Sequence, residues 1–158
     1  MKYILPVLVI ILLLIFPQRV YCAEQHIEVN FIKFDEYGNH WFEQKKIPAT
    51  PEAHTSIHAN TALNYLFTLD KHNIFPYPQG VHVLSIHFTE CHLVVSLYFP
   101  KGSYGGAMLE RIYLGQILKT LLNLDGIERV SIIADTPEGL IVREESSWRP
   151  LLYGIIVD

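Results

Sequence analysis

Hydrophobic and polar residues alternate from Ile27 to Phe34 (Ile-Glu-Val-Asn-Phe-Ile-Lys-Phe), a period of two that predicts a first strand. Asp35-Glu-Tyr-Gly-Asn39 then has turn chemistry, and Trp41-Phe42 fits the second arm of a hairpin. Thr50-Pro51 carries a helix-start signature, with Thr as N-cap and Pro at the first helical position. Ile57, Ala62, Leu63, Leu66 and Phe67 are assigned to one face of that helix, with Asn60, Asn64 and Lys71 elsewhere. The Pro-rich stretch Asn73-Ile-Phe-Pro-Tyr-Pro-Gln-Gly80 ends it.

Two alternating runs follow, Val81 to Phe88 and His92 to Phe99, and read as a second hairpin. With Thr89-Glu90 as a two-residue turn, Phe88 opposes Cys91, and opposed residues share a face. Leu84, Ile86, Phe88, Cys91, Leu93, Val95 and Leu97 then lie on one side. Val83, Ser85, His87, His92, Val94, Ser96 and Tyr98 lie on the other. After the glycine-rich Lys101-Gly-Ser-Tyr-Gly-Gly106, a second helix is predicted over Ala107 to Asn123. Its apolar stripe is so broad that deep burial is expected, and Asp125-Gly126 supplies the glycine stop. Val130 to Ala134 is a further strand, Asp135-Thr-Pro-Glu-Gly139 a turn leading to Leu140-Ile-Val142, and Trp148 to Val157 an apolar tail. The order strand–helix–strand–strand–helix–strand predicts an α+β sandwich of ferredoxin-like type, with two helices on one face of a mixed sheet.

The N-terminus changes the picture of where this domain works. Lys2 precedes the apolar run Tyr3 to Phe16, the arrangement of a secretory signal (h-region about 7–15 residues) rather than of a spanning helix of about 20. Residues 1–22 are therefore read as a signal peptide or short membrane anchor, with lipid tethering at Cys22 the alternative that Tyr21 and Arg19 disfavour, and residues 24–158 as a single domain. Loss of residues 1–22 removes Lys2 and Arg19 and no acid, taking the net charge from −4 to −6. An acidic chain without a Lys/Arg cluster lacks the footprint of a nucleic-acid binder. Its two cysteines make no disulfide framework, and Cys91 reads as a small buried hydrophobe.

With its particular residues, this order resembles the GerMN domain family. The resemblance covers roughly residues 27–145 and rests on Ala62-Leu63, Leu66, Pro78-x-Gly80, Leu84-Ser85-Ile86, Val95 and Leu97. It continues through Gly105-Gly106, Glu110, Thr120-Leu121, Gly126-Ile127-x-x-Val130-x-Ile132 and Asp135. The chain departs from the family where Thr89-Glu90-Cys91 replaces an acidic-Gly turn, and in having a single copy. The resemblance implies an exported, non-enzymatic cell-envelope module, similar to ring-building domains, serving sporulation or germination. Envelope proteins or a second copy would be its partners, and no cofactor is implied.

Candidate chemistry is sparse. His54 and His58, four apart on a predicted helix, have metal-ligand spacing but no third ligand, and no metal is assigned. His87 and His92 become cross-strand neighbours in the chosen register. Ser103, Ser85 and Ser96 lack the surroundings of a nucleophile elbow, so no catalytic residue is assigned. Ser103, Gly105, Gly106 and Glu110, at the start of the second helix, form a candidate site for a small ligand or wall fragment, since helix N-termini offer free amides. Val83, Val94 and Tyr98 on the outer sheet face, with Leu151 and Tyr153 in the tail, form a candidate partner surface.

Overall fold

The alternation beginning at Ile27 does make a strand, β1 (His26–Phe34), and Trp41-Phe42 belongs to its hairpin partner β2 (His40–Pro48). The computed structural model describes residues 25–68, 74–101, 107–137 and 139–145. The remaining elements are α1 (Thr55–Phe67), β3 (His82–Thr89), β4 (His92–Tyr98), α2 (Ala107–Leu121), β5 (Arg129–Thr136) and β6 (Gly139–Glu145). The fold is α+β. β3-β4-β5-β6 is a mixed sheet: β4 and β5 run parallel, with α2 as the crossover such a pair requires, and the other two pairings are antiparallel. β1 does not join it; β1 and β2 form their own two-stranded sheet.

The reason lies on α2. An edge strand of a sheet leaves backbone donors unpaired, and a buried unpaired donor costs about 1–3 kcal/mol. On the side of β1 away from β2, Asn30 N–H donates to Thr120 Oγ1 and Ile32 N–H to Gln116 Oε1, both at 3.0 Å. Gln116 and Thr120 are four apart, on one face of α2, and both are fully buried. Two polar side chains in an apolar helix thus take the place of a neighbouring strand. The network extends through Tyr77, whose hydroxyl donates to Tyr113 O (2.7 Å) and accepts from Gln116 Nε2 (3.5 Å). Burial holds the Tyr77 hydroxyl well above the usual phenol range, against a smaller opposing effect of Gln116.

The rest of the interior is mainly apolar. Leu93, Val95, Leu97, Val130, Ile132 and Ala134 line the inner face of the four-stranded sheet. They form one cluster with Ala59, Ala62, Leu63 and Leu66 of α1 and with Ile112, Leu114, Ile117, Leu118 and Leu121 of α2. Each such Leu or Ile, fully buried, contributes about 1.5–3 kcal/mol. The deep burial expected of α2 is found.

Local chemistry corrects several expectations. Thr50-Pro51 opens a turn, not the helix: Ala53 N–H donates to Thr50 O, and Glu52 sits at φ 58°, the left-handed conformation wanted at the third position of a Pro-led turn. The helix starts at Thr55, and His54 is its N-cap, Nδ1 accepting from Ser56 N–H. Ile57 is half exposed, because at 3.6 residues per turn it lies nearly opposite Leu66. In the second hairpin the turn is Glu90-Cys91, one residue later than expected. Both residues have positive φ (48° and 65°), as a type I′ turn demands. Phe88 therefore opposes Leu93. This moves the pairing by two residues from the expected register, so the two faces are preserved over Ser85–Thr89.

Candidate functional site

A β-bulge at Leu84 decides which side chains of β3 face outward. Val83 pairs with Leu97 and Ser85 with Ser96, leaving Leu84 as the extra residue. The bulge reverses the alternation at that point. Val83, expected on the outer face, packs against the core, and Leu84, expected inside, is 49% exposed. Val94 and Tyr98 do lie on the outer face, half-buried, with His82 against the Tyr98 ring (5.2 Å between centroids). Leu151 and Tyr153 lie outside the described residues, as do Cys22 and the whole of 1–22.

His87 and His92 are not directly opposed. His87 stands across from Val94, and His92 across from Thr89. His92 is instead engaged by β5, which runs alongside β4 and brings Arg129 and Ser131 to it. Arg129 Nη2 donates to His92 Nδ1 (3.1 Å), and His92 Nε2 lies 2.8 Å from Ser131 Oγ. A guanidinium can only donate, so Nδ1 is the accepting nitrogen and Nε2 carries the hydrogen toward the serine. This is the reverse of what a general base needs, because a base must offer Nε2's lone pair to the hydroxyl. The pair is a structural clip across two parallel strands.

The other histidine pair is engaged in local structure as well, each ring bonding to backbone. His54 caps α1, and its ring meets Phe88 edge-on at 5.8 Å. His58 Nε2 donates to Thr50 O (3.0 Å), tying the first turn of α1 back to the preceding turn. Among the described residues no three His, Cys, Asp or Glu side chains converge as metal ligands do.

The described residues also form two surface depressions. A cleft of about 430 Å³ lies between the start of β1, the Thr50 turn and the end of α2, with Glu28, Glu52, His58 and Asp125 in its wall. A shallower groove of about 360 Å³ runs between Ser56, Ile57 and Asn60 of α1 and Val83 to Ile86 of β3. Of the expected ligand residues, Glu110 lies in the first turn of α2, where the helix dipole favours a carboxylate by about 0.3–1 kcal/mol. Ser103, Gly105 and Gly106 lie outside the described residues.

A family model described as "Germane: Sporulation and spore germination" matches residues 28–136. The chain belongs to that family. The family match spans β1 through β5 and includes both helices. No curated protein matches the chain closely. Among solved structures it is similar to the tandem GerMN domains of the sporulation protein GerM from Bacillus subtilis, with a TM-score of 0.53 at 15% identity. That likeness covers 79% of this chain and 46% of the other, so the chain spans about half the length of the tandem protein. At such identity the likeness speaks to the fold alone. A 2.5 Å crystal structure described as "Putative Lipoprotein from Clostridium perfringens" aligns with a TM-score of 0.44 at 19% identity, over 71% of this chain and 75% of that one.

Three features of this arrangement carry little or no signal in the sequence. The capping role of His54 and the bulge at Leu84 are not readable there, since His is not a preferred N-cap and the adjacent apolar pair Val83-Leu84 fits either face. Gln116 and Thr120 do leave a trace: two hydrogen-bonding side chains at i and i+4 inside an apolar stripe imply a backbone edge to satisfy.

Proposed function

We propose that this chain is an exported, non-catalytic module of the cell envelope that works by docking other proteins or further copies of itself, in sporulation or germination. The observation that carries the reading is the use to which its reactive side chains are put. His54, His58 and His92 hold a helix cap, a turn and a strand pair. Large apolar side chains are left outside instead: Tyr37 is 81% exposed, and Trp41, Ile57 and Leu84 about half. Exposed apolar side chains of that size suit contact with proteins rather than turnover of a substrate.

Export is supported by Lys2 followed by the apolar run Tyr3 to Phe16, and the family supports the process. Among the described residues no helix is long and apolar enough to cross a membrane, so attachment would fall to the N-terminal segment. The test is chemical crosslinking of the full chain in intact cells. Recovery of envelope proteins or of a second copy is expected, and a chain recovered alone under conditions that trap known neighbours would refute it. The alternative, a ligand at the Gly105-Gly106 loop and Glu110, predicts thermal stabilisation by a wall fragment that Glu110→Ala abolishes.

A further inference from the structure

We infer that the cleft between β1, the Thr50 turn and the end of α2 binds a small linear polyamine, a chain carrying two or three ammonium groups. This goes beyond the docking reading and does not depend on it. The wall of the cleft holds three carboxylates, Glu28, Glu52 and Asp125, and no Lys or Arg. Each comes from a different part of the fold: the start of β1, the turn before α1 and the segment just after α2. None of the three makes an ion pair among the described residues. Lys119 in the last turn of α2 and Lys46, across the ladder from Glu28, both lie outside the wall. A depression lined by one sign of charge concentrates ions of the other sign, and the C-terminal end of α2 adds partial negative charge beside Asp125.

A second observation comes from Asn30, which is fully buried. Its Nδ2 reaches back along β1 to Glu28 O (3.3 Å) and across to Lys119 O (3.5 Å). Glu28 is in the cleft wall, and Lys119 lies one helical turn before Asn123, which is in the wall too. The carboxamide is therefore turned toward the inner end of the cleft, between its two sides. Its Oδ1 is a buried acceptor without a hydrogen-bond partner. Buried acceptors are rarely left so, and a donor entering between Glu28 and Asn123 supplies what this one lacks.

The spacing of the carboxylates selects the ligand. They do not converge as the ligands of a metal ion do, so one compact cation cannot meet all three. A flexible chain with separated ammonium groups can, each group being a donor with no acceptor. The volume of about 430 Å³ lies in the range of small-molecule sites, about 300–1,000 Å³.

The test titrates spermidine into the full chain, ¹⁵N-labelled and held in a neutral detergent, and follows the amide NMR signals. Saturable shifts are expected at the Glu28 and Asn123 amides and at the Asn30 side-chain amide. Glu52→Gln with Asp125→Asn, both on exposed side chains, is expected to weaken binding at least about tenfold with the unfolding midpoint unchanged. Lys46→Gln removes a competing cation opposite Glu28 and is expected to tighten binding, a gain that misfolding cannot imitate. Shifts that fail to saturate, that magnesium chloride reproduces at equal ionic strength, or that persist unchanged in the Gln/Asn double variant would overturn the site. Any of these results leaves the docking reading intact, because crosslinking in cells decides that separately.

Discussion

Replacing Thr120 by Val removes one oxygen and almost nothing else. The two side chains have nearly the same shape and similar helix propensity, so packing around the fully buried position is retained. What is lost is the acceptor for Asn30 N–H, 3.0 Å away on the closed edge of β1. Leaving a buried donor unpaired costs about 1–3 kcal/mol, more than the roughly 0.5–1.5 kcal/mol net value of an ordinary hydrogen bond. Gln116→Leu should cost a similar amount by orphaning Ile32 N–H, and it also takes a partner from the Tyr77 hydroxyl. Together the two changes approach about 2–6 kcal/mol, a large part of the roughly 5–15 kcal/mol that holds a domain folded. Urea unfolding of each variant gives the loss, and hydrogen exchange gives its location: the Asn30 amide should lose protection in Thr120→Val, and the Ile32 amide in Gln116→Leu. A Thr120→Val protein within about 0.3 kcal/mol of the parent, with Asn30 still protected, would show that α2 does not close this edge.

The Glu90-Cys91 turn holds two non-glycine residues at positive φ, so Glu90→Asn with Cys91→Gly should stabilise the protein by about 0.5–1.5 kcal/mol in thermal or urea unfolding. Stability should fall as pH rises above about 10, because the unfolded chain ionises Tyr77 while the buried hydroxyl keeps its proton; Tyr77→Phe should flatten this alkaline limb in urea titrations. At the β1–β2 tip, the Asn39 side-chain hydrogen bond leads the effects that hold the Asp35 carboxyl below its ordinary value. Its contribution is present above about pH 4 and disappears as pH falls through the lowered value, which amide NMR shifts of Tyr37 and Asn39 would report. Leu63→Ala should cost about 2–5 kcal/mol, as expected for a fully buried leucine at the centre of the cluster.

Where a period repeats over several residues, the sequence is sufficient. β4 alternates cleanly, β1 does so in sequence from Ile27 to Phe31, and the long apolar stripe of α2 requires burial on nearly all sides. The inner face of the second hairpin is legible even though its turn lies one residue later than Thr89-Glu90, because a two-residue change in pairing leaves the faces alone. A bulge has no such redundancy. One inserted residue at Leu84 exchanges the roles of Val83 and Leu84, and no side-chain pattern announces it. The Thr50-Pro51 start fails because Pro serves the second position of a turn as readily as the first position of a helix, and the turn prevails. The separation of β1 from the main sheet depends on two side chains of a distant helix, Thr120 lying 90 positions from Asn30 and Gln116 84 from Ile32, a pairing that only the tertiary structure supplies. Of the candidate site residues, Val94, Tyr98 and Glu110 lie where their strand and helix positions put them.

The central claim is an exported docking module, and protease accessibility combined with crosslinking tests it most directly. Cells expressing the full chain, stripped of wall but with an intact cytoplasmic membrane, are treated with a membrane-impermeant crosslinker and then with added protease. The account predicts that residues 25–145 are digested without membrane rupture and that the crosslinker beforehand traps the chain with an envelope protein or a second copy. A chain that is protected until the membrane is broken, and that migrates as a lone monomer, would contradict it.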